Sequence, residues 1–272
     1  MLLTGAESDV VKPGPSYQVY LPILGAEQEE FRWAGGVHAI TFPSPADRAS
    51  APGGIQKLNW YSWGRNNNDG YDDLYVPMVW KYDGETASIQ ADGRPLFLLN
   101  EPDYATQANM TDEEVAAALL AYQDWEGEIF GLGYDFRNFD RFRSALEMAE
   151  DTQGGPVRLD GIHLHCYFSP FAAPEGYRPA LRNWRQFADR HSIPVIVSEW
   201  GWFPYTWVPP QWMADNLATV ARIIQEELDP LKMFYFSWRM PDDTQNTPGV
   251  DWRLTNAADG IIGQAWRELA GV

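Results

Sequence analysis

One cysteine, Cys166, stands in a chain of 272 residues, which rules out an internal disulfide and any cysteine-based metal cluster. Within an apolar stretch it is expected to be simply buried. Histidine is scarce as well, with four in all, and Lys and Arg number 20 against 38 Asp and Glu. The resulting formal net charge of −18 repels phosphate backbones and anionic membrane surfaces, so nucleic acid and membrane are not expected partners. No apolar run approaches the roughly 18 residues that a bilayer-spanning helix needs. The opening "MLLTGAESDVVKPG" lacks both the basic start and the apolar stretch of a signal peptide, although a trimmed signal would look the same. Aromatic residues, by contrast, are plentiful: 13 Trp, 13 Tyr and 13 Phe supply flat faces that stack on uncharged rings as readily as they fill a core.

From residue 36 onward short β-rich runs recur: "GVHAITF" (36–42), "KLNWYSW" (57–63), "LYVPMVWK" (74–81), "PLFLLNE" (95–101), "EIFGLGY" (128–134), "DGIHLHCYF" (160–168), "PVIVSEW" (194–200) and "KMFYFSW" (232–238). Helical patterns separate the later ones. The clearest spans 111–125, where Thr111 and Glu114 form a capping-box signature and Val115, Ala118, Leu119 and Tyr122 share a face. Others cover 138–150, 178–191, 210–227 and 263–269. Helices alternating with buried strands imply an α/β fold with a parallel sheet, and eight strands favour closure into a single (β/α)8 TIM barrel. The early connections, "PSPADRASAPGG" and "GRNNNDGYDD", are too short or too loop-like for full helices, so the early βα units are expected to be irregular. Residues 1–35 read as an N-terminal extension packing on or closing the barrel, with Pro22 against a central strand. No internal repeat or low-complexity linker marks a second domain, leaving 36–272 as one barrel.

The stretch "LFLLNEPDYATQANMT" (96–111) turns an apolar strand abruptly into an amide, a carboxylate and a proline. Pro102 disfavours a helix at Glu101 and points to extended geometry there, with the carboxylate at a strand end. Glu199 ends the seventh run in the same way, after "VIVS". In such barrels the C-terminal strand ends converge on one mouth, where the chemistry is done. Carboxylates on strands four and seven stand across that mouth. Hydrolysis of a glycosidic bond needs two carboxyl groups in different states, one to protonate the leaving oxygen and one to attack or activate water. The competing reading makes both of them structural ion-pair partners.

On the sixth strand a period of two puts His163, His165 and Tyr167 on one face, expected to be the barrel interior. Tyr167, nearest the mouth, is placed to hydrogen-bond Glu199. His165 would line the sugar site, and His163 reads as a satisfied core histidine deeper inside. The "HLH" spacing also fits a metal hydrolase, but the histidines that would complete such a site are missing. "GLGYDF" lacks the third glycine of a dinucleotide loop. No metal or cofactor is therefore expected. Trp63, Trp80, Trp202 and Trp238 lie at or just past strand ends and are candidates for stacking on sugar rings.

The segments "NWYSWG", "VPMVW", "LLNEPDYATQANMT", "LDGIHLHCYF" and "PVIVSEWGW" together resemble clan A glycoside hydrolases, and within the clan are most similar to glycoside hydrolase family 128, the catalytic-core family of β-1,3-glucanases. The resemblance covers roughly residues 36–240 and implies a retaining mechanism. By it, Glu101 would be the general acid/base, Glu199 the nucleophile, Asn100 a donor to the sugar hydroxyl beside the anomeric carbon, and Trp238 the platform under the sugar at the cleaved bond. The expected function is hydrolysis of β-glycosidic bonds in a polysaccharide, foremost endo-β-1,3-glucanase activity. Another clan A β-glycanase, mannanase-like or cellulase-like, and a non-catalytic glycan-binding barrel are the alternatives. The expected partner is a polysaccharide or oligosaccharide, the expected state a monomer, and the expected location outside the cell, since glycan polymers lie there.

Overall fold

A computed structural model describes Trp33 and residues 36–42, 44–51, 53–64, 72–84, 93–202, 209–236 and 261–271. Eight strands form one sheet: β1 (His38–Thr41), β2 (Trp60–Tyr61), β3 (Met78–Val79), β4 (Leu96–Leu98), β5 (Ile129–Asp135), β6 (Gly161–Phe168), β7 (Val195–Trp202) and β8 (Lys232–Tyr235). Their order is β2-β1-β8-β7-β6-β5-β4-β3, and every pairing is parallel. The two ends of that order meet. Trp60 bridges to Tyr75, donates its N–H to Leu74 O at 3.1 Å and accepts from Val76 N–H at 2.9 Å, closing the ring between β2 and the segment entering β3. All eight expected runs are therefore barrel strands.

The helices are α1 (Pro45–Ser50), α2 (Asp112–Ala121), α3 (Phe139–Gln153), α4 (Arg178–His191), α5 (Pro210–Leu228) and α6 (Ile261–Ala270). The first βα connection holds only the short α1 and a 3-10 turn, Ile55–Lys57, as its composition suggested. At α2 the capping box is formed on both sides: Glu114 N–H donates to Thr111 Oγ1 at 3.2 Å and Thr111 N–H to Glu114 Oε2 at 2.8 Å. The helix stops at Ala121, short of the expected 125: Tyr122 N–H turns to Leu119 O and Gln123 N–H to Leu120 O, both at 3.4 Å, and the Gln123 side-chain amide caps Leu119 O at 2.9 Å. Of residues 1–35 only Trp33 is described; it meets Phe130 edge-on at 5.7 Å. The rest of the proposed extension lies outside the described residues.

Inside the barrel an aromatic floor sits below the mouth. Phe97 touches Tyr61 at 5.3 Å and Phe234 at 5.5 Å, both edge-on, and stacks on the His163 ring at 4.9 Å. Contacts of this kind add about 0.5–1.5 kcal/mol each beyond the area they bury.

Two bulges break the strand register where the site begins. In β5–β6, Leu132 pairs with His163 but Tyr134 with Leu164, so Gly133 is the extra residue. In β6–β7, Leu164 pairs with Val197 but His165 with Glu199, so Ser198 is extra. A bulge defeats alternation locally and re-aims a side chain. Consequently Ser198 and Glu199, though consecutive, both reach polar partners inside the barrel. Gly133 has φ +64, and a Cβ there would lie 2.3 Å from Leu99 O and 2.9 Å from the His163 ring. Only glycine fits.

Gly133→Ala should therefore lose more than about 2 kcal/mol of stability, from the left-handed backbone together with the overlap against Leu99 O. Urea unfolding measures this; a variant as stable as the wild type would contradict the close approach of β4 and β5.

Candidate active site

β4 ends at Leu98, and the chain then turns through two left-handed residues, Leu99 (φ 71) and Glu101 (φ 44). The extended geometry expected at Glu101 is not observed. Proline disfavours the right-handed helical region for the preceding residue, and the left-handed one is reached here because the Glu101 N–H finds Gly133 O at 2.9 Å while Asn100 N–H donates to Trp80 O at 3.1 Å. Residues in this region cost about 1 kcal/mol or more and persist only where their surroundings hold them, as at functional sites.

The turn delivers the Glu101 carboxylate to β6. His165 Nδ1 lies 3.0 Å from Glu101 Oε1 and 3.4 Å from Glu199 Oε2, with the imidazole wholly buried. One atom each from Glu101, His165 and Glu199 lie within 4.8 Å of one another. Among the described residues, the other groups on Glu199 are neutral donors. Tyr61 O–H reaches its Oε1 at 2.9 Å, Trp63 Nε1–H reaches the same oxygen at 2.5 Å, and Tyr167 O–H donates to Oε2. Burial and the negative charge of Glu199 push both phenols well above their usual range, so they stay protonated and donating.

Titration separates the two histidines of "HLH". Burial pulls His165 down, but the charges of Glu199 and Glu101, with Asp135 beyond, outweigh it and push the imidazole up to about 9. His163 goes the other way: burial brings it down to about 3, and it stays neutral. Its Nε2–H donates to Leu98 O at 3.0 Å and its Nδ1 accepts from the Ser198 hydroxyl at 2.9 Å, which makes it the satisfied interior histidine that its depth implied. Glu101 is raised above the ordinary carboxyl range by burial, against the pull of its His165 hydrogen bond and charge, with Glu199 and Asp135 adding to the rise.

Asn100 is buried beside the pair. Its Nδ2 donates to Gln107 Oε1 at 3.3 Å while its Oδ1 has no partner among the described residues. Trp80 is half-buried next to this turn. Trp63, taken from the sequence as a sugar-stacking face, spends its indole N–H on Glu199 and packs edge-on against Tyr61 and Phe236. Trp202 needs correction as an open platform: only 3% exposed, it packs against Trp212 at 4.9 Å and belongs to the rim's packing. Trp238 lies outside the described residues. Cys166 is buried.

Further groups complete the site. Tyr61, one of the aromatics that the sequence puts at a strand end, shares a strand face with Trp63 by alternation and reaches Glu199, whereas Asp135 was not expected. Asp135 ends β5 opposite His165 in register and binds Arg137, whose Nε and Nη2 each lie 2.6 Å from its oxygens. Among the described residues no arginine pairs with Glu101 or Glu199. Asp103 accepts from Asn138, and burial lifts its carboxyl to about 6.

An ion could touch Glu101, His165 and Glu199 together by spacing alone. The donor set argues otherwise, because the Nδ1 proton of a charged imidazole already lies between the carboxylates and Glu199 accepts from three further groups.

Residues 39–131 match the family model described as Glycosyl hydrolase catalytic core. No curated protein sequence matches the chain. Among solved structures, it is similar to a subgroup I GH128 endo-β-1,3-glucanase from Amycolatopsis mediterranei in complex with laminaritriose, with 21% identity, 87% of this chain and 99% of that one covered, and a TM-score of 0.63. A subgroup II endo-β-1,3-glucanase from Pseudomonas viridiflava gives 19%, 86%, 96% and 0.57 on the same measures. A subgroup III curdlan-specific exo-β-1,3-glucanase from Blastomyces gilchristii, in complex with glucose, gives 18%, 85%, 97% and 0.58. The chain has the glycoside hydrolase family 128 fold.

The opposed histidines generate a stability test. An unfolded imidazole takes up a proton near pH 6.5 and folded His163 only near 3, so its contribution to stability is lost as pH falls between those values. His163→Gln should be less stable than wild type at neutral pH yet lose less on acidification, with the gap narrowing by about 3 kcal/mol between pH 6.5 and about 4. Denaturant midpoints across that range test this; parallel curves would show that His163 titrates normally.

Proposed function

We propose that this barrel is a retaining glycoside hydrolase acting on β-1,3-glucan, with Glu199 as nucleophile and Glu101 as general acid/base. The observation that carries the reading is the approach of the two carboxylates, Glu101 from the turn after β4 and Glu199 from the second half of β7, with an oxygen of each within 4.8 Å. Retaining enzymes hold their carboxyl groups about 5–5.5 Å apart, whereas inverting enzymes leave about 6.5–9.5 Å for a water. In the first half-reaction Glu199 attacks the anomeric carbon and Glu101, whose burial favours its protonated form, donates to the departing oxygen. In the second, Glu101 takes a proton from water, which displaces Glu199 from the sugar. Asn100 is placed to meet the hydroxyl beside the reacting carbon.

The neighbours crystallised with laminari-oligosaccharides support the glucan class. Endo action is part of the proposal, since the Amycolatopsis and Pseudomonas neighbours are both endo-β-1,3-glucanases. An uncharged polymer also suits a chain whose net charge of −18 repels anions. Because that polymer lies outside cells, an extracellular location is part of the proposal, and the chain acts as a monomer.

Laminarin, mannan, xylan and cellulose assayed for new reducing ends should single out laminarin, with activity unchanged by a chelator. Glu199→Ala should lower turnover at least about 10³-fold and be rescued by azide with a product of inverted anomeric configuration. Glu101→Ala should lose about 10²–10⁴-fold on laminarin and much less on an aryl glycoside with a good leaving group. Glycan binding without release by the wild type would establish a binding barrel, and failure of azide rescue would remove Glu199 as nucleophile.

A further inference from the structure

We propose that His165 is the positioning residue of the carboxylate pair: its imidazolium lies between Glu101 and Glu199, holds them at their separation as a shared counter-cation, and sets the pH window of activity. This rests on the reading of the two glutamates as the catalytic pair.

Among the described residues, the geometry leaves this task to one side chain. Nδ1 stands within reach of both carboxylates, at 3.0 and 3.4 Å, from a side chain with no solvent exposure. Among the described residues, every other group on Glu199, the hydroxyls of Tyr61 and Tyr167 and the indole of Trp63, is a neutral donor. The nearby guanidinium of Arg137 is committed to Asp135. Charged and titratable groups face His165 from each side of the barrel: Glu101 from the turn after β4, Asp135 from the end of β5, Glu199 from β7, Tyr61 from β2 through Glu199, and His163 and Tyr167 along its own strand. Asp103, beyond Glu101 on the same loop, titrates in the working range, since burial lifts it to about 6.

A cation beside a carboxylate favours the ionised form. The acid limb of a pH–rate profile reports the nucleophile becoming ionised, and the alkaline limb reports the acid losing its proton. Removing a cation that both groups share must therefore move both limbs the same way, toward higher pH. A residue acting only by packing would lower the rate and leave the limbs where they were.

The test compares pH profiles of kcat/KM on laminarin for wild type, His165→Asn and His165→Ala. Asparagine keeps a donor near the place of Nδ1 without its charge. Both limbs should rise by about one pH unit or more in each variant, with Asn retaining more kcat than Ala, and the same displacement should appear in an Asp103→Asn background. Limbs that stay in place, or that move in opposite directions, overturn the proposal. NMR of the wild-type imidazole carbons gives a readout independent of turnover and of variant folding: His165 still charged at about pH 7.5 supports the counter-cation, and a neutral ring at that pH overturns it. Should the wild type hydrolyse no β-glucan, the catalytic reading fails by itself, and the NMR result still decides the charge of His165.

Discussion

Two buried carboxylates brought within 4.8 Å repel each other. For full charges at that spacing and an effective dielectric of about 20, the repulsion is roughly 3.5 kcal/mol, before any cost of taking either from water. The surrounding structure answers that repulsion. His165 offers one proton to both groups, while Tyr61, Trp63 and Tyr167 also direct donors at Glu199. Raising the Glu101 carboxyl above its ordinary range completes the compensation, because a protonated acid ends the repulsion and is the form that donates.

Holding those groups requires departures from regular strand geometry. A period of two cannot send both Ser198 and Glu199 inward; the β7 bulge does, letting Ser198 secure His163 below while Glu199 faces the mouth above. The left-handed residues after β4 likewise carry Glu101 off the strand and back toward β5, where Gly133 accepts its N–H. Strain at these points is supported by the rigid layer underneath, where Phe97, Tyr61, Phe234 and neutral His163 fill the barrel.

This explains which parts of the molecule could be read from the chain. Long-range regularity was legible: eight apolar runs became eight strands, "TDEE" became a capping box, and "HLHCY" turned His163, His165 and Tyr167 toward interior polar partners, because burial enforces periodicity over many residues. Local exceptions were not. The bulge at Ser198 leaves no mark in "VIVSEW", and Pro102 announces only that Glu101 is not in the right-handed region. The indoles misled for a related reason. Composition says that a tryptophan is flat and apolar, but whether its face is open depends on neighbours far along the chain, as Trp212 covers Trp202 and Glu199 engages Trp63.

The choice of neutral donors around Glu199 follows from what that group does in the proposed reaction. As the glycosyl bond forms, its negative charge disappears, and any interaction that grips the charge strongly resists the step. An arginine clamped on Glu199 would hold the ground state; hydroxyl and indole donors hold it less. Among the described residues the cation beside Glu199 is His165, placed so that it need not move. Once Glu199 is neutral, His165, whose Nδ1 lies 3.0 Å from Glu101 Oε1 in this structure, would favour the ionised form of that carboxyl alone, the form needed to take a proton from water. One fixed imidazolium thus tolerates a protonated Glu101 while two carboxylates compete for it, and stabilises an ionised Glu101 when only one remains.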